Sequence, residues 1–337
     1  MLRQLTRKIN ISRLLQRFRR TALLVVGDIV IDEFIWGKVS RVSPEAPVPV
    51  VAVTNDTLLL GGAANVVNNV HSLGGRVLLT GVIGGDRMGE KMKGLLVEQG
   101  IDTGGIVVEV GRPTTVKTRI IAHSQQVVRF DRESLEPIPK QSQERLFNYI
   151  DAHWDKVDGV IISDYGKGVI TPGLMDFIMD KRRADEKLVA VDPKMNNFEL
   201  YKGKGVTVLT PNIKEAEVAA GKEIRDEDSL EEVGRYLLEK FVSQAVLITR
   251  GEEGMVLFER RGKITRVPTV AKEVYDVTGA GDTVVSTLTL ALAAGSDFPQ
   301  AAVLANYAAG IVVGKVGTAI VTPEELGKAV TEYVIHP

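Results

Sequence analysis

One aspartate lies inside a glycine turn in the last quarter of the sequence. The segment Asp276-Val-Thr-Gly-Ala-Gly-Asp-Thr283 leads into an uncharged, helix-favouring stretch. Gly279, Ala280 and Gly281 would let an anion approach the backbone, and the unpaired N–H groups of a helix beginning there would attract it. A carboxylate repels phosphate, so Asp282 suits a general base that takes a proton from an attacking hydroxyl while the turn holds the transferring phosphoryl group. The alternative is that Asp282 only caps a buried helix.

Two further aspartates follow an apolar stretch near the amino end. Residues 22–27 form that stretch and end in glycine, and Asp28 and Asp32 come after it. Open α/β sheets bind ligands beyond the carboxyl ends of their strands. Aspartate pairs bind metal ions or the vicinal hydroxyls of a sugar, and with no histidine nearby the sugar is favoured. The alternative is that both residues only form turns.

Other polar segments also follow predicted strands or open predicted helices. They are Gly61-Gly-Ala-Ala-Asn65, Asp164-Tyr-Gly-Lys167, Asp192-Pro-Lys194, Asn212-Ile-Lys-Glu215 and Arg250-Gly-Glu-Glu-Gly254. The paired glycines of the first segment permit close approach of the backbone to a ligand, and the last segment suits nucleotide phosphates or ribose. Lys117, Arg119 and Arg129 alternate along short β-rich stretches, where they would face either a charged ligand or solvent.

These segments need a scaffold that brings strand ends together. Apolar runs of strand length alternate with helical stretches over most of the chain, which predicts an α/β fold with a doubly wound, mostly parallel sheet. Segments at about 33–60 and 106–131 are β-rich without intervening helices, which favours a small β-sheet lid outside the main sheet. We therefore expect one domain over residues 21–337, preceded by a leader at residues 1–20.

The leader is the one strongly basic part of a chain whose net charge is −1. It holds seven arginines and lysines and no acid, and its apolar residues fall roughly on one face of a helix. We favour a helix that packs on its own domain or on a second subunit over one that binds a membrane or nucleic acid. The chain has no cysteine, no apolar run that would span a bilayer comfortably and no signal-peptide pattern, so a cytoplasmic enzyme without membrane or nucleic-acid partners is expected.

The absence of three known sequence motifs excludes several classes of nucleotide-binding enzyme. The P-loop, the protein-kinase motifs and an early GxGxxG are all absent from the sequence. An anion site at a helix N-terminus, a carboxylate within it and hydroxyl-binding groups elsewhere favour phosphoryl transfer to a polyol. That reaction requires mainly positioning and charge neutralisation.

Two motifs carry a family resemblance. Asp276-Val-Thr-Gly-Ala-Gly-Asp282 resembles the carboxyl-terminal signature of the ribokinase-like (PfkB) carbohydrate kinases, and Gly61-Gly-Ala-Ala-Asn65 with residues 81–89 resembles the amino-terminal one. Both occur in the family's order and separation, over about residues 21–330. Residues 41–50, 163–168 and 192–194 are similar to the subfamily that phosphorylates D-glycero-β-D-manno-heptose 7-phosphate in bacterial lipopolysaccharide synthesis.

The resemblance implies roles for individual residues. Asp282 would be the base for the anomeric hydroxyl, with Gly279, Ala280 and Gly281 as the anion hole. Asn212 and Glu215 would organise Mg²⁺ largely through water. The implied ATP site comprises Thr249, Gly251, Gly254, Asn306 and Gly310. The implied sugar site comprises Asp28, Asp32, Gly61, Gly62 and Asn65. Candidates for the substrate's own phosphate are Lys117, Arg119, Arg129 and Lys167. Asp164 and Lys194 are further candidates for binding the substrate. A K⁺ activator near Asp276 and Thr278 is left open.

The expected enzyme is an ATP- and Mg²⁺-dependent kinase that phosphorylates a phosphosugar and dimerises through its lid. Bifunctional relatives carry a carboxyl-terminal nucleotidyltransferase domain, so with a chain of 337 residues we expect the kinase step alone. Two alternatives stay open. One is another PfkB sugar or nucleoside kinase, acting for example on ribose or fructose phosphate. The other is a non-catalytic sugar- or nucleotide-binding protein on a kinase scaffold.

Overall fold

The computed structural model describes residues 2–123, 125–271, 273–315 and 317–335. Position 1 of the predicted leader, position 124 of the predicted lid and positions 272, 316, 336 and 337 of the predicted domain lie outside these ranges. The strands are β1 (Ala22–Gly27), β2 (Ile29–Val42), β3 (Pro49–Gly62), β4 (Arg76–Gly84), β5 (Ile106–Glu109), β6 (Thr115–Ala122), β7 (Gln125–Arg132), β8 (Gly159–Ser163), β9 (Leu188–Asp192), β10 (Val208–Leu209), β11 (Ala245–Thr249), β12 (Met255–Glu259) and β13 (Ile264–Val267). The helices are α1 (Leu2–Thr6), α2 (Ile11–Phe18), α3 (Ala63–Ser72), α4 (Arg87–Glu98), α5 (Lys140–His153), α6 (Pro172–Asp185), α7 (Ile213–Ala220), α8 (Glu227–Phe241), α9 (Ala280–Ala293), α10 (Phe298–Val312) and α11 (Pro323–Ile335).

The larger sheet has nine strands in the order β13-β12-β11-β10-β9-β8-β1-β4-β5. Every pairing from β11 to β5 is parallel, whereas β12 and β13 pair antiparallel at one edge. Alternate residues of β1 enter two different apolar clusters, Leu23 and Val25 on one face and Leu24 and Val26 on the other. Helices α9 and α10 pack on the first face, and α6 and α8 on the second. The predicted doubly wound, mostly parallel α/β fold is confirmed.

The smaller sheet has the strand order β3-β2-β6-β7. Strands β2 and β3 form a long antiparallel hairpin, β6 lies parallel to β2, and β7 pairs antiparallel with β6. The sequence placed residues 106–131 in this sheet, and for Ile106–Glu109 that is wrong. This segment pairs parallel with β4 and forms an edge of the large sheet. Ile106 and Val107 are buried, as expected of a strand covered on both faces.

The basic leader folds as two short helices and not as the single helix that its apolar pattern suggested. Asn10 lies between them and is the N-cap of the second helix. Its side chain accepts a hydrogen bond from the Arg13 N–H (3.0 Å). Leu2, Leu14 and Phe18 are buried in the core that also contains α9, α10 and α11. The apolar side of the leader therefore packs on its own domain. None of the described helices combines the length and apolar character needed to cross a membrane.

Candidate active site

Helix α9 begins at the glycine turn that the sequence singled out. Its N-cap is Gly279, whose φ of +80° is a left-handed conformation that glycine adopts without strain. A Cβ at this position would lie 2.7 Å from Nδ2 of Asn65. Asp282 lies inside the first turn of the helix and does not cap it, so the capping interpretation of this residue is wrong.

The Asp282 carboxylate is buried and held by two side chains from distant parts of the chain. Asn65 Nδ2 donates to Oδ2 (2.7 Å) and the Tyr165 hydroxyl donates to Oδ1 (2.6 Å). Burial raises the pKa of Asp282 to about 7, which the two donated hydrogen bonds oppose and nearby Asp32 reinforces. A carboxyl group with a pKa near neutrality is well suited to accept a proton in a general-base step.

The orientation of Asn65 is fixed by a second buried layer. Asn69 Nδ2 donates to Oδ1 of Asn65 (3.2 Å), and the Thr283 hydroxyl donates to Oδ1 of Asn69 (2.9 Å). Both asparagines lie on α3, whereas Thr283 directly follows Asp282 on α9. Helices α3 and α9 are thus joined by one polar network that begins at the carboxylate and returns to its own helix.

The first turn of α9 faces a cavity of about 430 Å³. A Cβ built on Gly281 would have no heavy atom within 4 Å, so the backbone here is open to a ligand. The first N–H groups of a helix have no partner within the helix, and the helix dipole makes this end attractive to anions. Ala280 and Gly281 line this cavity, whereas Gly279 does not, and the Ala280 N–H donates to the Val277 carbonyl oxygen (3.2 Å). The backbone at Gly281 is therefore the part of the turn that a phosphate group can approach most openly.

The residues predicted to bind nucleotide line this same cavity, although they come from two distant segments of the chain, residues 249–254 and helix α10. They are Thr249, Gly251, Gly254, Asn306 and Gly310. Gly254 has a φ of +84°, and a Cβ there would lie 2.2 Å from the Val267 carbonyl oxygen. Asn306 donates its amide to the Pro268 carbonyl oxygen (2.8 Å). These contacts give Gly254 and Asn306 a part in shaping the cavity wall.

Asn212 and Glu215 form the capping box of helix α7. The Asn212 side chain accepts from the Glu215 N–H, and Glu215 Oε2 accepts from the Asn212 N–H, both at 3.0 Å. Burial raises the pKa of Glu215, while the bond from Asn212 opposes the shift. One carboxylate oxygen of Glu215 remains for a hydrated ion. Among the described residues no group of three or more acidic, histidine or cysteine side chains could hold a metal.

The predicted sugar-binding residues on the small sheet lie at the end that meets the large sheet. Arg119 Nη1 donates to Oδ1 of Asp32 at 2.6 Å, between the neighbouring parallel strands β2 and β6. The Arg119 guanidinium also stacks 5.2 Å from the centre of the Phe34 ring. A Cβ on Gly61 would lie 2.2 Å from Asp32 Oδ2, so only glycine leaves this carboxylate in place. Gly62 follows with a φ of +54° and caps α3.

Asp28 is committed to the protein backbone. Its two oxygens accept the N–H groups of Tyr165 (2.8 Å), Lys167 (3.0 Å) and Val169 (3.1 Å). Burial and the neighbouring Asp164 raise the pKa of Asp28 to about 6 against these bonds. Asp28 therefore holds the loop after β8, and we no longer expect it to bind the sugar directly.

Asp164 has a similar structural position. It accepts hydrogen bonds from the Gly166 N–H (2.8 Å), from the Asn197 amide and from the Tyr201 hydroxyl. The carboxylate is buried, and these donors already use most of its acceptor positions. Lys194 lies beside this loop, where its Cγ would be 3.2 Å from a Cβ on Gly166.

The cations proposed for a substrate phosphate form a cluster with two acids. Lys117 Nζ lies 3.2 Å from Asp131 and 3.8 Å from Glu133, and Lys167 Nζ lies 2.7 Å from Glu133. Arg129 donates two hydrogen bonds to Asp131. Burial lowers the pKa of Lys117 while Asp131 opposes this shift. The structure thus brings three of the four predicted cations together, whereas Arg119 pairs with Asp32.

The predicted K⁺ site is a tight turn around Asp276. Its carboxylate accepts the N–H groups of Thr278 (2.9 Å) and Gly317 (3.0 Å). Desolvation opposes the effect of these bonds, but the pKa of Asp276 is still lowered below its ordinary value. An ionised carboxylate at this turn is compatible with a bound cation.

Sequence reasoning assigned no role to Tyr165, Asn69 or Asp192, although all three belong to the site. The pKa of Asp192 is raised well above its ordinary value by burial and then by Asp282 and Glu215. Tyr165 lies inside the polar segment Asp164-Tyr-Gly-Lys167, and its position directly after strand β8 is the signal in the sequence that points to it.

Comparison with known proteins places this geometry among sugar kinases. Residues 20–325 match the family described as pfkB family carbohydrate kinase. The chain is 49% identical over 303 residues to the bifunctional protein HldE of Geobacter sulfurreducens, and 46% identical over 316 residues to that of Geotalea uraniireducens. These alignments cover 90% and 94% of this chain but only 61% and 64% of the relatives, so the chain spans less than two thirds of their length. Phosphofructokinase-2 from Escherichia coli, solved with substrates and products, superposes with a TM-score of 0.76 at 16% identity, over 94% of this chain and 100% of its own.

Proposed function

The chain belongs to the pfkB family of carbohydrate kinases, enzymes that phosphorylate a sugar hydroxyl, and we propose that its reaction is transfer of the γ-phosphoryl group of ATP to C1 of D-glycero-D-manno-heptose 7-phosphate. The product would be the 1,7-bisphosphate, a precursor for the lipopolysaccharide core. The heptose is proposed because residues 41–50, 163–168 and 192–194 resemble the heptose 7-phosphate kinases.

The observation that carries the reaction class is the position of Asp282 within the first turn of α9, whose backbone is open at Gly281. As the anomeric hydroxyl attacks the γ-phosphorus, its oxygen forms the new O–P bond and its proton passes to the Asp282 carboxylate. The bond between the γ-phosphorus and the bridging oxygen breaks, and ADP leaves with that oxygen. Backbone N–H groups near Gly281 would stabilise the charge on the transferring group.

ATP would bind in the 430 Å³ cavity, whose apolar wall suits an adenine ring. The wall is formed largely by alanine, valine and glycine from α9, α10 and the loop after β13. Mg²⁺ commonly binds one or two carboxylates, waters and substrate phosphates, so the single free oxygen of Glu215 fits an ion brought by the nucleotide. When bound, the ion would neutralise phosphate charge.

We assign the substrate's own phosphate to Lys117, Lys167 and Arg129. All three lie on the lid or on the loop after β8, and each pairs with Asp131 or Glu133. Asp32 and Asn65 are the groups we propose for sugar hydroxyls.

We also propose that K⁺ binds at Asp276. The test compares turnover in KCl with turnover in tetramethylammonium chloride.

We further propose that two copies of the chain form a homodimer through the small sheet. The sheet face opposite Asp32 carries Ile35, Ile120, Val128 and Phe130 in register. Val128 and Phe130 are 46% and 49% exposed. An apolar patch of this kind on a projecting sheet is typical of an interaction surface.

The deciding experiment measures ATP turnover with heptose 7-phosphate in wild type and in Asp282→Asn. General-base catalysis contributes roughly 10²–10⁴-fold, so the variant should lose about that much in kcat. A panel with ribose and fructose 6-phosphate tests the substrate: preference for either would overturn the heptose assignment and leave the kinase assignment standing. Turnover at the uncatalysed background rate in both wild type and variant, with every sugar of the panel, would instead favour a non-catalytic binding protein.

A further inference from the structure

The Tyr165 hydroxyl contacts the proposed base but has no role in the reaction described so far. We propose that Tyr165 is a positioning residue, whose hydroxyl holds Oδ1 of Asp282 and keeps the carboxylate oriented toward the sugar hydroxyl. The inference rests on the proposed function, because it requires Asp282 to be the base.

The geometry leaves the carboxylate available for a proton. Tyr165 occupies one lone pair of Oδ1 at 2.6 Å, and Asn65 occupies one lone pair of Oδ2 at 2.7 Å. A carboxylate has about four acceptor sites, so each oxygen keeps one position for a substrate hydroxyl. Burial, followed by the charge of Asp282, holds the pKa of Tyr165 well above its ordinary value. The phenol therefore stays protonated and acts as a donor toward the carboxylate.

Tyr165 is itself fixed without help from any ligand. Its backbone N–H donates to Oδ2 of Asp28 at 2.8 Å, and the next N–H, from Gly166, donates to Oδ1 of Asp164 at 2.8 Å. Asp28 and Asp164 are 1% and 3% exposed. Two buried carboxylates thus hold the loop that presents the tyrosine, which gives Asp28 an indirect connection to Asp282.

Several charged groups face the base. Asp32 from β2 and Asp192 from the end of β9 both act on this region electrostatically, and Arg119 from β6 pairs with Asp32. Among the residues that the structure describes, Tyr165 and Asn65 are the two whose side chains donate to Asp282 directly. Burial and Asp32 raise the pKa of Asp282, and the hydrogen bonds from Tyr165 and Asn65 lower it. Without the Tyr165 hydroxyl only the bond from Asn65 would lower the pKa, so Asp282 would stay protonated to higher pH.

The test is the pH profile of kcat/KM for wild type and Tyr165→Phe. A hydrogen bond to a charged group is lost, so the acid limb should move up by about one pH unit or more. At about pH 6 the variant would then be roughly tenfold slower, whereas the two profiles would converge at high pH. The KM values for ATP and sugar should change less than about twofold, because the ligand-facing lone pairs remain. Tyr149→Phe is the matched control, since that buried hydroxyl has no hydrogen-bond partner among the described residues.

Two other results would overturn the inference. An unmoved acid limb with a raised sugar KM would make Tyr165 a substrate contact, and an unmoved profile with unchanged constants would make its hydroxyl dispensable. If the phenylalanine variant does not fold, difluorotyrosine at position 165 keeps the ring and strengthens the donor, so the acid limb must move down. Asp282→Asn separates the two proposals: if it remains fully active the proposed base is wrong, whereas an inactive Asp282→Asn with an unmoved Tyr165→Phe profile removes only this inference.

Discussion

A Cβ atom on Gly279 would lie 2.7 Å from Nδ2 of Asn65, the amide that donates to Asp282. The residue that starts helix α9 and the residue that holds its carboxylate are therefore in direct contact. A side chain at position 279 would therefore displace the amide that holds the base. The glycine turn thus serves both the anion site and the orientation of the carboxylate.

Gly279→Ala should reduce both stability and activity. A side chain at a φ of +80° costs about 1–3 kcal/mol, and the added methyl would displace Asn65 from Asp282. Gly281→Ala is the matched control, because a Cβ there meets open space. The free energy of unfolding of Gly281→Ala should lie within about 0.5 kcal/mol of the wild-type value. Its kcat/KM should nevertheless fall, because the added methyl group enters the path of the phosphate. Denaturant unfolding and turnover of both variants check this, and equal stability losses would contradict it.

Replacing Asp282 should stabilise the protein at alkaline pH. Its pKa rises from an ordinary 3.8 to about 7 in the folded protein. Between these values the folded chain binds a proton that the unfolded chain releases, so the contribution of Asp282 to the free energy of unfolding falls as pH rises. In Asp282→Asn the new oxygen can still accept from Asn65 and the new amide can donate to Tyr165.

The stability gap between Asp282→Asn and wild type should therefore widen in favour of the variant from pH 5 to pH 8. The expected gain is on the order of 1–4 kcal/mol, measured by denaturant unfolding at each pH. Asp151→Asn, at an exposed ion pair, serves as the control and should give a gap that changes little. A gap that narrows with rising pH would show that burial does not favour the protonated carboxyl.

Asp28→Ala should destabilise the loop after β8. The change leaves the N–H groups of Tyr165, Lys167 and Val169 without their acceptor, and each unsatisfied buried group costs about 1–3 kcal/mol. Asp28→Asn should lose less, because a single amide oxygen can still accept the two bonds that now reach Oδ2. Thermal unfolding and hydrogen exchange at residues 165–169 measure both effects. Equal stability of the alanine and asparagine variants would show that these bonds contribute little.

Much of this site could be predicted from the sequence, because some of its residues have a chemistry that is unusual for their position. Asp282 stood out as a carboxylate placed within an anion site, and Gly281 as a glycine at a predicted helix start. The roles of Asp28 and Asp164 could not be deduced, since both look like ligand-binding aspartates at strand ends. Only the fold shows that backbone N–H groups more than 130 residues away reach Asp28. Strand β5 was misplaced for a related reason, because a short β-rich segment does not show which sheet edge it joins.

Lys117→Gln should weaken binding of a phosphosugar without slowing the chemical step. A charge-assisted contact of about 1.5–3 kcal/mol predicts a KM increase of roughly 10- to 100-fold with nearly unchanged kcat. The corresponding sugar without its phosphate should show no such change. Lys181→Gln, which removes a lysine from a surface ion pair, is the control. A KM increase of the same size for both sugars would remove Lys117 from the phosphate site.

Val128→Lys should separate the proposed dimer. Val128 lies opposite Ile120 in the small sheet, on the same face as Phe130, and is 46% exposed. Because a lysine in the middle of an apolar contact would be desolvated without a partner, the variant should shift from dimer to monomer in light scattering after size-exclusion chromatography. Val218→Lys, at a valine of similar exposure (53%) on helix α7, should leave the assembly unchanged. A monomeric wild type, or a dimer that survives Val128→Lys and a second variant, Phe130→Asp, would place any interface away from this face.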